Sequence, residues 1–269
     1  MSLGIVFKGP EGVVLAADSR VTLTGQIPGE NVLIPATYDN ATKLLHVSGQ
    51  DYAGAVTYGL GALGQRQPRT AHSFIPEFES ELRGKKRLPV NEFAERLSGF
   101  FMQQWNANMP KDHSGPDMVF LVGGYDEGAA YGRVFEFHIP GNPAPHEWHA
   151  GEGEFGIVWG GQREFVDRVL TGFDDSLPEL AKKFLSLTDE QRDKLREHLR
   201  KELGVRIPYA FLPLQDCVDL AIFMVRTTMA IQSWWVGIRG VGGAIDVATI
   251  TRTDGFRPVQ QKTIMPERR

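Results

Sequence analysis

The chain has 269 residues, of which 42% are hydrophobic, and its 29 basic and 33 acidic side chains give a formal net charge of -4. That length supports one large hydrophobic core, because single cores stop growing at roughly 250–300 residues. The mild negative charge argues against a nucleic-acid partner, which would require a basic stripe. The one cysteine, Cys217, excludes an internal disulfide and a cysteine-rich zinc site. With no apolar run near ~20 residues and no signal-peptide pattern, we expect a soluble, cytoplasmic protein without a membrane partner.

Short apolar runs separated by turn residues predict strands in the first part of the chain. The predicted strands cover residues 3–8, 13–17, 43–47 and 52–58, and a longer connection covers residues 22–40. Most of the turns between these runs are tight, whereas parallel strands need long crossover connections. The pattern therefore predicts antiparallel pairing.

Helical and extended segments alternate through the rest of the chain. Helices are predicted over residues 70–82, 90–107 and 214–235 and within 162–203, and strands over 117–125, 131–139, 147–149, 244–251 and 257–263. The charge-dense residues 189–203 predict a solvated helix face. The helix over 214–235 is so apolar that its neighbours or another subunit must cover it. This order of elements predicts an α+β fold in which antiparallel sheets pack together with helices outside.

Ser2 follows the initiator Met1, and a side chain this small normally permits removal of the methionine. A serine with a free α-amine holds a nucleophile and a base on one residue, since the amine, with a pKa near ~8, can accept the proton of the hydroxyl. A nearby cation lowers the pKa of that amine further. Lys43 and Asp18 can supply the cation and its carboxylate, because antiparallel strands can bring both beside Ser2.

Two other patterns suggest binding sites. Gly59, Gly61 and Gly64 match the G-x-G-x-x-G pattern of dinucleotide-binding loops, but Pro68 interrupts the helix that should hold the pyrophosphate, which leaves a dinucleotide-binding enzyme as a remote alternative. The histidines His138, His146 and His149 show no fixed ligand spacing, and we interpret them as structural or surface residues. No metal and no organic cofactor is predicted.

Residues 2–8 (Ser-Leu-Gly-Ile-Val-Phe-Lys) and 12–20 (Gly-Val-Val-Leu-Ala-Ala-Asp-Ser-Arg), followed by 41–44 and 55–59, resemble the opening of a proteasome β-type subunit. The chain is most similar to a divergent bacterial proteasome homologue of the N-terminal-nucleophile (Ntn) hydrolase superfamily. The resemblance implies a four-layer αββα sandwich, with two antiparallel sheets between helical layers. It implies a single domain over residues 1–269. The helical elaboration around 174–204 and the C-terminal tail from about 264 exceed what a minimal β-type subunit needs.

The resemblance also implies partners and residue roles. Family members form homo-oligomeric stacked rings that cleave unfolded polypeptides or peptides, and AAA+ ATPase unfoldases feed them. By this resemblance Ser2 is the nucleophile, its amine is the base, Lys43 tunes the amine and Asp18 orients Lys43. The N–H of Gly59 stabilises the oxyanion, and Arg20 supports the neighbouring loop.

The sequence departs from the family pattern at several positions. Most catalytic members begin with threonine rather than serine, and they carry an Asp-x-x-Ser-Gly-Gly stretch near the last strands. Here residues 238–243 read Ile-Arg-Gly-Val-Gly-Gly, so that Ile238 replaces the acid and Val241 the hydroxyl. We interpret the chain as a self-compartmentalised, threonine-type peptidase subunit with serine as the nucleophile. A weakly active or non-catalytic ring-forming homologue and a small-amide acylase on the same fold remain open alternatives.

Overall fold

The computed structural model describes residues 2–26, 33–64 and 67–263. The described residues form twelve strands and six α-helices. The strands are β1 (Leu3–Lys8), β2 (Val13–Asp18), β3 (Val21–Gln26), β4 (Leu33–Tyr38), β5 (Leu44–His46), β6 (Ala53–Gly59), β7 (Met118–Gly124), β8 (Arg133–Ile139), β9 (Asn142–Trp148), β10 (Gly156–Gly161), β11 (Ile245–Thr251) and β12 (Gly255–Gln260). The helices are α1 (Ile75–Glu81), α2 (Val90–Asn108), α3 (Glu164–Leu170), α4 (Ser176–Leu185), α5 (Asp189–Leu203) and α6 (Leu214–Trp234).

The first sheet has the order β10-β1-β2-β11-β12, and every neighbouring pair in it is antiparallel. β1 and β2 are joined by a tight turn in which the N–H of Gly9 donates to the carbonyl of Gly12 at 2.9 Å. Both strands are buried along their whole length. α6 packs against β1, β2 and β11, and the second sheet covers the other face. Burial on both faces explains why β1 and β2 appear in the sequence as continuous apolar runs.

The second sheet has the order β5-β6-β7-β8-β9 and is also antiparallel throughout. α2 packs on β7, β8 and β9 through the apolar stripe that its helical period places on one side. The buried residues of this stripe include Val90, Phe93, Leu97, Phe101 and Trp105. The helix predicted over residues 90–107 is therefore confirmed.

The two sheets share a hydrophobic core. Side chains from both sheets form one cluster, with fully buried members that include Val6, Leu15, Val56, Leu121 and Ile250. The predicted α+β architecture of packed antiparallel sheets with helices is confirmed.

The predicted connection over residues 22–40 is wrong in part. β3 and β4 form an antiparallel pair, with Val21 opposite Tyr38, and residues 27–32 lie outside the described part of the chain. The Gly, Pro and Asn residues of this segment favoured the prediction of a loop, although its β-branched residues favour extended structure. The helix predicted over 70–82 also divides, into a 3₁₀ turn (Ala71–Phe74) and α1, with Pro76 in the first turn of α1.

The chain divides into two compact units, one formed by Gln162–Pro208 and the other by the rest. The smaller unit contains α3, α4 and α5, as predicted for the helical stretch over 162–203. Thr188 caps α5, where its hydroxyl accepts from the Gln191 N–H at 3.2 Å, and α5 has no buried residue. The solvated face predicted for residues 189–203 is therefore confirmed. Among the helices of the described residues, none combines the length and apolar character that crossing a bilayer would require.

Candidate active site

Ser2 lies immediately before β1 and is buried, with 4% of its surface exposed. It borders a pocket of about 20 Å³, which has room for about one water molecule. Residues around this pocket include Ser2, Lys43, Thr57, Tyr58, Leu60 and Gly61. The structure thus brings Ser2 and Lys43 to one pocket. Met1 lies outside the described residues, and its removal stays a prediction.

The carboxylate of Asp18 connects several segments of the site. Its Oδ1 accepts a hydrogen bond from Lys43 Nζ at 2.6 Å and another from the Leu3 N–H at 3.0 Å. Its Oδ2 accepts from the backbone N–H groups of Arg20 at 3.1 Å and Gly242 at 3.0 Å. Asp18 is fully buried, and this set of donors compensates for the water that its carboxylate loses. The side chain of Asp18 therefore holds Leu3, Lys43 and the segment before β11.

Lys43 is a buried cation beside Ser2. Only 5% of its surface is exposed, and its ammonium group forms an ion pair with Asp18. Burial lowers the pKa of Lys43 from its ordinary value, while the negative charge of Asp18 opposes that shift. The positive charges of Lys262 and Arg20 lower the pKa further. Asp18 therefore helps to maintain a positive charge at the pocket that Ser2 borders.

Gly59 is the last residue of β6, and residues with a side chain rarely adopt its backbone conformation. Its φ is +84°, and a Cβ on it would lie 2.2 Å from the carbonyl oxygen of Asp117. The N–H of Leu60 donates to Asp117, whereas the N–H of Thr57 donates to Lys43 on the opposite side of β6. Because N–H groups alternate along an antiparallel strand, the N–H of Gly59 points to the same side as that of Thr57. Lys43 lies on that side. Tyr58 and Leu60, the neighbours of Gly59, line the Ser2 pocket, whereas Gly59 itself is not among its lining residues.

Arg20 supports the loop after β2 through a partner that the sequence did not reveal. Its Nε and Nη2 donate to the Asp39 carboxylate at 2.5 and 2.8 Å, and its Nη1 donates to the carbonyl of Arg239 at 3.2 Å. Asp39 raises the pKa of Arg20, and Arg20 lowers the pKa of Asp39. A Cβ on Gly242 would lie 2.4 Å from Cζ of Arg20. Asp39 follows β4, within the segment predicted as a connection.

A second buried polar cluster adjoins the first. Asp246 accepts from the Lys262 backbone N–H at 2.9 Å, its Oδ2 is paired with the Lys262 ammonium, and Ser19 Oγ donates to the same oxygen at 3.3 Å. The backbone of Ser19, next to Asp18, also donates to the Gly242 carbonyl at 3.0 Å. Sequence reasoning missed this cluster, although a single acid within the apolar run of β11 was a usable signal.

The sequence departs from the proteasome β-type pattern at Ile238 and Val241, which lie in the segment between α6 and β11. Ile238 has 61% of its surface exposed. Val241 is buried, and its N–H donates to Oε1 of Gln232 at 3.0 Å. The segment keeps its link to Asp18 through Gly242, but positions 238 and 241 supply neither a carboxylate nor a hydroxyl to the site.

The other candidate residues have different surroundings. β6 pairs antiparallel with both β5 and β7, so Gly59, Gly61 and Gly64 do not follow a strand of a parallel βαβ unit. Within the described ranges, no group of three or more His, Cys, Asp or Glu side chains could hold a metal ion. His138 Nε2 lies 3.0 Å from Oε1 of Glu136.

No family model matches the sequence, and no curated protein matches it either. Among solved structures, the chain is similar to the Anbu (Gly-1) mutant from Hyphomicrobium sp. strain MC1, with a TM-score of 0.54 and 14% sequence identity. The alignment covers 97% of this chain and 86% of that chain. This similarity supports a distant proteasome-like fold and no specific member of that group.

Proposed function

We propose that the chain is a subunit of a proteasome-like peptidase in which Ser2 becomes the N-terminal nucleophile once Met1 has been removed. The observation that carries the proposal is the buried Asp18–Lys43 ion pair beside the pocket that Ser2 borders. The proteasome-like fold supports it. The contacts of α2 with the second sheet and of α6 with the first support the four-layer αββα arrangement, which belongs to the same proposal.

In the first step, Oγ of Ser2 attacks the carbonyl carbon of the scissile peptide bond and its proton passes to the α-amine of the same residue. The positive charge of Lys43 favours the neutral, proton-accepting form of this amine. The carbonyl π electrons move to the oxygen, and the N–H of Gly59 donates to this oxyanion. Asp18 holds Lys43 in place and also fixes the backbone of Leu3, the residue after the nucleophile.

In the second step, the protonated amine gives its proton to the leaving nitrogen, the C–N bond breaks, and an ester links the acyl group to Ser2. Water then attacks the ester while the same amine accepts a proton from it. Collapse of this second intermediate breaks the ester bond, returns the proton to Oγ and releases a carboxylic acid. The cycle uses no group from outside the chain except peptide and water.

One observation favours a second function, a ring-forming homologue with weak or no activity. Val241 presents a buried apolar side chain, and Ile238 an exposed one, at the positions where the family has a hydroxyl and an acid. Groups that orient an amine contribute much of the rate at such sites. Their replacement predicts slower turnover than in family members that retain both groups.

The test is the intact mass of the chain before and after incubation with a peptide epoxyketone, which forms its ring adduct only with a hydroxyl and a free α-amine on one residue. We expect the wild type to lack Met1 and to gain one adduct per chain. Ser2→Ala should gain none. Ser98→Ala is the matched control, since Ser98 is a buried serine on α2, remote in sequence, whose Oγ donates to the Pro143 carbonyl at 2.6 Å.

Three outcomes separate the candidates. Loss of Met1 with no adduct and no peptide turnover supports the weakly active or non-catalytic homologue. An adduct that persists in Ser2→Ala contradicts the assignment of the nucleophile. Retention of Met1 together with peptide turnover contradicts the proposed mechanism.

A further inference from the structure

Lys262, in the segment that follows β12, is a largely buried cation that the proposed mechanism does not use. Its side chain is 17% exposed, and its ammonium group is paired with Oδ2 of Asp246 on β11. Its backbone N–H donates to the other oxygen of the same carboxylate at 2.9 Å. Asp246 is itself buried, with 2% of its surface exposed. The carboxylate therefore holds both the main chain and the ammonium group of Lys262, and these donors replace water that it has lost.

Ser19 connects this ion pair to the candidate active site. Its side chain is buried, and its Oγ donates to Oδ2 of Asp246 at 3.3 Å and accepts from Nζ of Lys262 at 3.4 Å. Because a hydroxyl is both a donor and an acceptor, one side chain contacts the anion and the cation together. Ser19 follows Asp18 directly in the chain, so the ion pair is linked to the end of β2.

The backbone of Ser19 holds two further segments of the site. Its carbonyl accepts from the Ala41 N–H at 2.9 Å, and Ala41 lines the same pocket as Lys43. Its N–H donates to the carbonyl of Gly242 at 3.0 Å, and the Gly242 N–H donates in turn to Asp18 at 3.0 Å. A displacement of Ser19 would therefore move the segment that carries Lys43 and weaken a hydrogen bond to Asp18.

The positive charge of Lys262 also acts on Lys43. Burial is the main cause that lowers the pKa of Lys43, Asp18 opposes that shift, and the charge of Lys262 lowers the pKa further. Burial likewise lowers the pKa of His72, in the 3₁₀ turn before α1, and Lys262 adds to that shift. The charged or titratable side chains near the two ammonium groups include Asp18, Arg20, Asp39, His72 and Asp246.

We propose that Lys262 is a positioning residue for the reaction of Ser2. Through Asp246 and Ser19 it fixes the backbone that carries Lys43, and it adds a further positive charge to the surroundings of the α-amine. Positions 238 and 241 supply neither a carboxylate nor a hydroxyl, so the tuning of the amine depends more on the buried charges near the pocket. The inference deepens the proposed function and rests on it.

The pH dependence of turnover tests the charge of Lys262. Lys262→Met removes a positive charge, so the pKa of the Ser2 amine should rise by on the order of one pH unit. Because the neutral amine is the base, the acid limb of kcat/KM for a fluorogenic peptide should move to higher pH by the same amount. Turnover on this limb then falls about tenfold, whereas the plateau at high pH changes less. Lys262→Arg keeps the charge and should keep the wild-type profile.

Ser19→Ala tests the positioning separately. The variant removes the hydroxyl between the ion pair and β2 but leaves the charge of Lys262 in place. We expect kcat to fall at least about threefold at every pH, because small displacements of reacting groups are costly, while the acid limb stays where it is. A wild-type kcat in Ser19→Ala overturns the proposed link through Ser19.

Lys8→Met is the matched control for loss of a buried lysine. Lys8 has 4% of its surface exposed, burial lowers its pKa, and its Nζ donates to the carbonyl of His149 at 2.6 Å. It lies at the far end of β1, about 20 Å from Ser2 at about 3.3 Å per residue. We expect Lys8→Met to lower the urea midpoint and to leave the acid limb unchanged. An equal shift of the limb in Lys8→Met and Lys262→Met overturns the proposal.

The pKa of Lys43 gives a measurement that does not require Ser2 to be catalytic. In protein labelled with carbon-13 at the lysine Cε atoms, the signal of Lys43 is identified by its absence in Lys43→Arg and followed against pH by NMR. Lys262→Met should raise this pKa, and Lys262→Arg should not. If the wild type forms no epoxyketone adduct, the proposed function fails. A wild type that forms the adduct, with neither the acid limb nor the pKa of Lys43 shifted in Lys262→Met, overturns the role of Lys262 alone.

Discussion

Asp18 accepts hydrogen bonds from four described donors that are far apart in the chain: the N–H groups of Leu3, Arg20 and Gly242 and the ammonium of Lys43. A buried carboxylate with this many donors is stable only while all of them are in place. The position of Lys43, and with it the field at Ser2, therefore depends on this one side chain.

Replacing Asp18 by asparagine should destabilise the protein strongly. The change keeps the shape of the side chain but leaves the buried ammonium of Lys43 without a counter-charge, which costs about 3–5 kcal/mol. The measurement is the urea midpoint of unfolding. Glu92→Gln is the control, because its ion pair with Arg96 at 2.7 Å is exposed and contributes less than about 1 kcal/mol. Equal midpoints for the two variants would contradict the role assigned to Asp18.

At the scale of elements, α6 is attached to the first sheet at the β1–β2 turn. Glu11 Oε2 accepts from the Leu214 N–H at 2.7 Å, at the start of the helix. A Cβ on Gly9 would lie 3.1 Å from Sγ of Cys217, and one on Gly12 would lie 2.8 Å from Cδ1 of Leu214. The two glycines allow the helix to approach the turn closely, and this contact buries Cys217.

The reactivity of Cys217 tests the contact between α6 and the β1–β2 turn. Burial raises the pKa of Cys217 from 9.0 to about 11, so the folded protein keeps its thiol protonated where the unfolded chain loses the proton. At pH 8 we expect a thiol reagent to label the native protein about 100-fold more slowly than the chain in denaturant. Because the folded pKa is the higher one, this group favours folding below about pH 9, and its contribution is lost as the pH rises to about 11. Labelling of the native protein at the unfolded rate would contradict burial of Cys217 under α6.

At the scale of the whole molecule, the core of the larger unit and α5 of the smaller unit differ in burial. The larger unit contains both sheets and the core between them, whereas α5 of the smaller unit has no buried residue. Local stability follows buried contacts. α5 therefore depends more on helix capping and on surface ion pairs, such as Arg192 with Asp189 at 2.9 Å.

Hydrogen exchange should show this difference directly. We expect the amides of Asp189–Leu203 to exchange through local opening at low cost, and those of Leu3–Lys8 and Met118–Gly124 to exchange only on global unfolding. Exchange followed by mass spectrometry at pH 7 and 25 °C measures both on the same sample. Equal protection of α5 and the two strands would contradict the division into units of different stability.

The whole-chain comparison is consistent with a fold that tolerates extensive sequence change. The similarity to the Anbu structure extends over 97% of this chain at 14% identity. Core positions need only apolar side chains of suitable volume, so that sequences diverge while the packing of sheets and helices persists.

Patterns among neighbouring residues predict several strands and helices of this protein. The continuous apolar runs at residues 3–8 and 13–17 and the helical stripe of α2 could be predicted from the sequence, because period and burial are properties of neighbouring residues. The approach of Lys43 to Asp18 could be expected once antiparallel pairing and a family resemblance were combined. The hairpin of β3 and β4 could not be predicted, because its turn-forming residues outweighed a weak strand signal.

Only the tertiary structure decided the remaining contacts. The pairing of Arg20 with Asp39, and that of Asp246 with Lys262, joins residues on separate elements whose sequence neighbours do not reveal the contact. The division of α6 into a buried face and an exposed one also depended on which elements pack against it. All three have the same physical reason. Ion pairs and the buried faces of helices depend on which distant segments of the chain come into contact, and only the folded chain as a whole determines those contacts.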